Sequence, residues 1–346
     1  RIIEKNKKIN ILVYGESIGW AMGPNLVDAF TEIGCTARLF DFTQEYYTSN
    51  EVTIKNKILN RLLVKNITNN INKKLLEHVD ENNYDFFLVL KGAGIYPDTL
   101  EYIKKKIKTI ANWDPDDYFN NINNSKYLLN SLSLYDIVFS PRDHLFDEYK
   151  KKGIKKTVLL DWYCMPKLQK KIEATQNELN SFGSDIVFIA NWSPRREEYM
   201  YALRAMDIKI YGQGWGKAKA KFKKAIKCHS PVYFPEMNKI VNASKINLNM
   251  LTLENRDTSN FRNYEVPACG AFQLTERSSK ITQIFKEDVE ISCFSSVQEM
   301  KDKCEYYLSH EQEMNTIKKN AYQMINNGGN SINDRVKVII DTIASH

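Results

Sequence analysis

One run in this chain, Phe86-Phe87-Leu88-Val89-Leu90, is apolar at every position and closes on Lys91-Gly92-Ala93-Gly94. A strand with one face in water alternates polar and apolar residues, so an unbroken run of strand length needs both faces covered. That describes a strand inside a parallel sheet with helices packed on each side. Strand-length segments recur at residues 8–14, 36–41, 108–113, 136–140 and 157–161, separated by helical patterns such as 20–33 and 53–80. Residues 167–181 are polar with helical spacing, and after Gly183-Ser184 the alternation restarts. Further strands are expected at 185–190, 208–211, 246–251, 271–275 and 289–292, with helical stretches over 195–206, 297–326 and 332–343. The fold class is α/β, as two successive doubly wound halves that meet between residues 165 and 185. In such sheets ligands sit beyond the carboxyl ends of the strands, so a cleft between two halves is the expected site.

Composition narrows the class. At roughly 100–200 residues per domain, 346 residues make two domains, each able to hold a core. The glycines and prolines are too few and too scattered for a collagenous or disordered chain, and no apolar stretch approaches the ~20 residues of a membrane span. Six cysteines stand far apart without a C-x-x-C pair, which fits a reducing compartment and argues against structural zinc. The start, Arg-Ile-Ile-Glu-Lys, lacks the apolar core of a signal peptide, and a cytoplasmic protein is expected. A net charge of +7, mixed in sign along the chain, suits anionic ligands without requiring nucleic acid.

The strand-end loops carry the chemistry. Gly15 to Gly19 links a strand to a helix, where Gly15 and Ser17 could let backbone amides approach a phosphate; a plain tight turn accounts for the glycines equally well. Trp113-Asp114-Pro115-Asp116-Asp117 places three carboxylates at one strand end, which is costly unless they cap a turn, bind metal or face a substrate. Asp116 is the candidate for the substrate-facing one. In Asn191-Trp-Ser-Pro-Arg195-Arg196-Glu, Ser193 suits an N-cap and Pro194 the first helical position, and the guanidinium of Arg195 or Arg196 matches phosphate oxygens. Gly212 and Gly214 form a turn at which a flat base could lie against Trp215, with a core Trp as the plainer reading. Six lysines between Lys217 and Lys227 read as a solvated face, or as a surface for an anionic acceptor or membrane headgroups. The densest constellation runs from Asn255 to Gly270. Asp257 and Glu265 bracket seven residues, and a helix starting near Thr258 would direct the amides of Thr258 and Ser259 at a diphosphate. Glu265 is suited to accept from two ribose hydroxyls, or to pair with Arg262.

Five stretches, Trp113-Asp-Pro-Asp-Asp, Tyr135-Asp-Ile-Val-Phe-Ser-Pro-Arg142-Asp, Ala190-Asn-Trp-Ser-Pro-Arg-Arg-Glu, Ile210-Tyr-Gly-Gln-Gly-Trp and Arg262-Asn-Tyr-Glu-Val-Pro-Ala-Cys-Gly-Ala, resemble the CgeB-like (spore maturation protein) family of group-1 glycosyltransferases. The resemblance implies the GT-B architecture of two Rossmann-like domains facing a cleft. Residues 1–168 would form the acceptor side, with 331–346 packing back on it, and residues 169–330 would hold the nucleotide-sugar donor. It further implies a metal-independent transfer from a nucleotide-diphosphate sugar, a UDP-sugar by analogy and without other cofactor, to a hydroxyl of a glycan, protein or other surface acceptor. By the same resemblance Glu265 grips the donor ribose, Asp257 lies near the sugar, an Arg meets the diphosphate and Arg262 lines the donor site. Asp257 departs from the family's Glu by one methylene, and Gly-Gly-Asn-Ser-Ile-Asn before Asp334-Arg335 departs from its His-containing lead-in. Asp116 is the candidate base if the reaction inverts. The alternatives are a non-catalytic sugar-nucleotide-binding or surface-assembly module, and a nucleotide-sugar epimerase of the same fold. Peripheral contact with the inner membrane face through Lys217 to Lys227 is a further expectation, and no nucleic-acid partner is expected.

Overall fold

The computed structural model describes residues 8–17, 21–43, 54–254 and 257–346. Gly19, Trp20, Thr53 and Asn255, which bound four of the segments above, lie outside these residues. The chain divides into two units: Arg1–Asp161 with Glu254–Arg256 and Ile332–His346, and Trp162–Leu253 with Asp257–Ser331.

The first unit holds a six-stranded parallel sheet built from β1 (Asn10–Gly15), β2 (Thr36–Asp41), β3 (Phe86–Leu90), β4 (Thr109–Trp113), β5 (Ile137–Ser140) and β6 (Lys156–Leu159). Their order is β2-β1-β3-β4-β5-β6. Every residue of β3, β4 and β5 is buried, as the unbroken apolar run at 86–90 requires. Leu12, Tyr14, Phe87, Val89, Ile110 and Val138 on the strands pack with Leu75, Leu100, Ile103 and Leu132 from the covering helices. Each such side chain contributes about 1.5–3 kcal/mol of burial. The last helix, Ile332–Ala344, belongs to this unit. Asn333 Nδ2 donates to Glu32 Oε2 at 3.0 Å, and Arg335 Nε donates to the Asp161 carbonyl at 2.8 Å.

The second unit repeats the plan with β7 (Ser184–Ile189), β8 (Ile208–Tyr211), β9 (Cys228–His229), β10 (Ser244–Asn249), β11 (Gln273–Glu276) and β12 (Ser292–Phe294), in the order β12-β11-β10-β7-β8-β9. Ile186, Phe188, Ile210, Ile246, Leu248 and Leu274 meet Met200, Phe222, Met300 and Tyr307 from its helices.

The strand expected at 289–292 lies instead at Ser292–Phe294, after a turn, and two further expectations change. Residues 167–175 do not form a helix, and only Gln176–Phe182 is helical. The amides of Lys170 and Ile172 donate instead to the side-chain oxygens of Asn238 and Asn242, at 3.0 and 3.3 Å, and tertiary bonds override the spacing. The helix expected near Thr258 begins later, as Arg262–Ala268. Asn263 Oδ1 accepts the Asn260 amide at 3.0 Å, which keeps the residues before Phe261 out of helical geometry.

Candidate functional site

In the second unit the strand order reverses between β7 and β10, and such switch points are where doubly wound sheets open toward ligands. The loops that leave these two strands carry most of the expected residues. Ser193 caps the helix Pro194–Ala202, accepting the Arg196 amide at 3.2 Å, with Pro194 at the first position. This cap orients both arginines. Arg196 reaches across the switch point, donating to the Asn191 carbonyl at 2.9 Å and to the Met250 carbonyl at 3.2 Å. Arg195 lies over the Tyr199 ring and forms a two-pronged pair with Glu276 at the end of β11. Glu276 also accepts the Leu251 amide at 3.0 Å.

Beyond β10 the chain turns through Thr258 and Ser259, both buried. A set of buried amides holds this turn: Asn249 Nδ2 donates to Asn260 Oδ1 at 3.0 Å and to Thr275 Oγ1 at 3.1 Å, while Asn263 Nδ2 donates to Gln273 Oε1 at 3.1 Å. The carbonyls of Thr258 and Ser259 accept from Ser278 Oγ and Trp162 Nε1, each at 2.8 Å. The backbone amides of Thr258, Ser259, Phe261 and Arg262 donate to nothing among the described residues, and the buried Ser259 hydroxyl is likewise unpartnered. Buried donors rarely stay unpaired. A cluster of free donors of this kind could receive an anion.

Glu265 lies one turn into the following helix and accepts from Arg262 Nη1 at 2.7 Å. Burial pushes its carboxyl up, against the pull of Arg262. Asp257, with φ of 38°, spends both oxygens on Ser279, accepting from its amide at 2.8 Å and from its hydroxyl. It therefore anchors the loop to the helix Ser279–Ile284.

Residues 195–341, less than half of the chain, match the family described as glycosyl transferase-like. No curated protein matches the sequence. Among solved structures the chain is similar to a glycosyltransferase from Rickettsia africae (13% identity, TM-score 0.68, covering 98% of this chain and 99% of that one). It is similar to Anabaena HepE in complex with UDP-glucose (11%, TM-score 0.67, 98% and 100%). It is also similar to a UDP-N-acetylglucosamine 2-epimerase (12%, TM-score 0.60, 98% and 97%). The fold is the GT-B glycosyltransferase fold.

Within that GT-B fold the remaining candidates sort by what they touch. Of the two readings of Trp215, the structure takes the core one, and the ring does not offer a face to a base. It is 3% exposed, stacks on Phe222 and donates its Nε1 to the Ala190 carbonyl at 2.9 Å. Gly212 is needed for space, because a Cβ there would lie 2.1 Å from the Ala190 carbonyl oxygen; Gly214 has φ of 83°.

In the first unit the switch point lies between β1 and β3. Gly15 ends β1, and Ser17 donates to Asp41 at the end of β2. Lys91, in left-handed geometry after β3, pairs with Asp116 at 2.8 Å. The three carboxylates after β4 separate cleanly. Asp114 is buried and accepts from Arg142, Ser140 and Tyr149. Burial pushes its carboxyl up, to about 7, against the pull of those partners. Asp117 accepts the Phe119 amide at 3.0 Å and closes a turn. Asp116 alone of the three is partly exposed. Sequence reasoning missed Asn249, Asn263, Glu276 and Lys91. The polar ends of β10 and β11, Asn249 and Glu276, were the available signal.

Proposed function

We propose that the protein transfers a sugar from a nucleoside-diphosphate sugar, a UDP-sugar in this reading, to an acceptor hydroxyl without metal, and that its second unit holds the donor. The observation that carries this is the set of unpartnered amides at Thr258, Ser259, Phe261 and Arg262 beside the Glu265 carboxylate. Fixed donors of this kind suit the charge that develops on a departing diphosphate and need no rearrangement as it forms. Arg195, already aligned by Glu276, adds a guanidinium for the same oxygens. Glu265 accepts from the ribose hydroxyls. Asp257 acts here as the loop's anchor. Asp116, with Lys91 at its side, is the acceptor-side carboxylate, and it takes the hydroxyl proton if the reaction inverts.

The similarity to a UDP-N-acetylglucosamine 2-epimerase supports a second reading, in which the same donor site serves an epimerisation that needs no acceptor. Calorimetric titration with UDP, GDP, TDP and CMP, followed by the matching nucleotide sugars, tests the donor site. One diphosphate should bind clearly better than the others. Glu265→Ala should weaken it roughly ten- to hundredfold, the worth of a charge-assisted hydrogen bond or two. No binding by any of the four at millimolar concentration would refute the donor site. Incubating the preferred nucleotide sugar alone separates the two reactions, because slow release of the free nucleotide marks a transferase and an altered sugar marks an epimerase. Activity that survives EDTA would support the metal-free mechanism.

A further inference from the structure

Charge in this chain is placed unevenly. Between Asp207 and Glu236 there are seven lysines and no Asp, Glu or Arg, and the other 42 Lys and Arg balance the 42 Asp and Glu. The whole formal excess of +7 therefore resides in this one segment. Six of the seven fall within residues 217–227, and all six are exposed. None forms an ion pair among the described residues.

The structure also settles how these lysines are displayed. Ala218, Phe222 and Ile226, four residues apart, are buried in the core of the second unit with Trp215, and Phe222 is fully buried. Every apolar anchor points in and every lysine points out. The short helix Ala220–Ala225 is thus a fixed, charged face. Lys221 lies over the Tyr201 ring beside Arg204, which extends the positive face onto the neighbouring helix end.

We propose that this face docks on an anionic bilayer surface. The chemistry of this face favours a headgroup plane over a nucleic acid. Residues 216–227 carry no Arg to form forked phosphate bonds and no exposed aromatic on which a base could stack, and the adjoining Arg204 is folded onto Tyr201, over its ring and donating to its carbonyl at 3.0 Å. Bare ammonium groups give a diffuse attraction that adds up lysine by lysine near an anionic leaflet. With Phe222 and Ile226 committed to the core, adsorption occurs without insertion, so it depends on salt.

The experiment is co-sedimentation of the full chain with phosphatidylcholine vesicles, with and without phosphatidylglycerol. The protein should sediment with the phosphatidylglycerol vesicles at low salt. It should remain in solution with phosphatidylcholine alone, and be released at roughly 1 M salt, where the screening length is about 3 Å. Replacing Lys223, Lys224 and Lys227 together by Gln should lower the partition roughly hundredfold. The same change at the exposed Lys150, Lys151 and Lys152 of the first unit should leave it nearly unaltered, with thermal midpoints of both variants matching the parent. Absence of binding, equal binding to both vesicles, or equal loss in the two triple variants would overturn the proposal. So would capture of a DNA duplex by a chain that ignores the vesicles.

Discussion

Arg142 is 1% exposed, and its charge is met inside the first unit by Asp114, which is itself fully buried. Arg142 Nη1 donates to Asp114 at 3.3 Å and Nη2 to the Pro115 carbonyl at 3.2 Å, while Ser140 and Tyr149 donate to the second carboxylate oxygen. Removing one partner of such a set strands the others without water. Asp114→Ala should therefore cost about 3–5 kcal/mol, a large share of the 5–15 kcal/mol typical of a folded domain. Asp114→Asn should cost less, since the amide oxygen still serves one hydroxyl; urea unfolding of the two variants checks the order. Glu265 supplies the matching test in the second unit. Burial raises its folded pKa above the ordinary 4.5, so it takes up a proton at a higher pH than a free carboxyl. Protonation removes the charge and turns one of the two carboxylate oxygens into a donor, so the paired grip on two hydroxyls weakens. Affinity for the preferred nucleotide should be full near neutrality and fall as the pH drops through that raised value, starting its fall at a higher pH than an ordinary carboxyl would. Glu265→Gln should bind weakly throughout and flatten that dependence, which titration calorimetry at several pH values would show.

At the scale of elements, the turn after β8 shows how a strand end is aimed. Gly212 lies against the Ala190 carbonyl so closely that any side chain must push the β7 and β8 loops apart. Overpacking of this kind costs about 1–3 kcal/mol, occasionally more, so Gly212→Ala should lower the thermal midpoint. It should also weaken nucleotide binding, because Trp192 is tied to the Gln213 carbonyl and Arg196 to the Asn191 carbonyl in those same loops. Tight binding retained at a lowered midpoint would show the β7 and β8 loops to be irrelevant to the ligand. The two sheets were legible in the sequence because a strand buried on both faces cannot hide its apolar run, as β3 demonstrates. The stretch 167–175 was not, since side chains about 70 residues away, Asn238 and Asn242, take its amides. Trp215 was ambiguous for a similar reason: a Trp after a glycine turn looks alike whether its ring meets Phe222 or a ligand. Of the candidate site, Glu265 and the Thr258–Ser259 turn could be picked out by residue type and spacing. The Asn249, Asn260 and Asn263 contacts that hold that turn depend on the register of β10 against β11, which no local pattern encodes.

Across the whole molecule, each unit has its own six-stranded sheet and its own buried core, and is large enough to unfold as a cooperative body. A ligand stabilises only the body to which it binds. The free amides and Glu265 all belong to the second unit, so a nucleotide held there should act on that unit's unfolding first. At a hundred times its dissociation constant it adds about 2.7 kcal/mol, a rise of roughly 5–10 °C for a unit of this size. Hydrogen–deuterium exchange with and without the nucleotide assigns the effect to residues. Protection should gather in the turn from Thr258 to Arg262 and in the strands β7 and β10 that carry the switch point. The amides of Phe86–Leu90 and Thr109–Trp113 in the first unit should exchange as before. Protection confined to the first unit would move the donor site to the loops around Lys91 and Asp116. Equal protection in both would mean that the two units open together, with the nucleotide reporting on a single cooperative body.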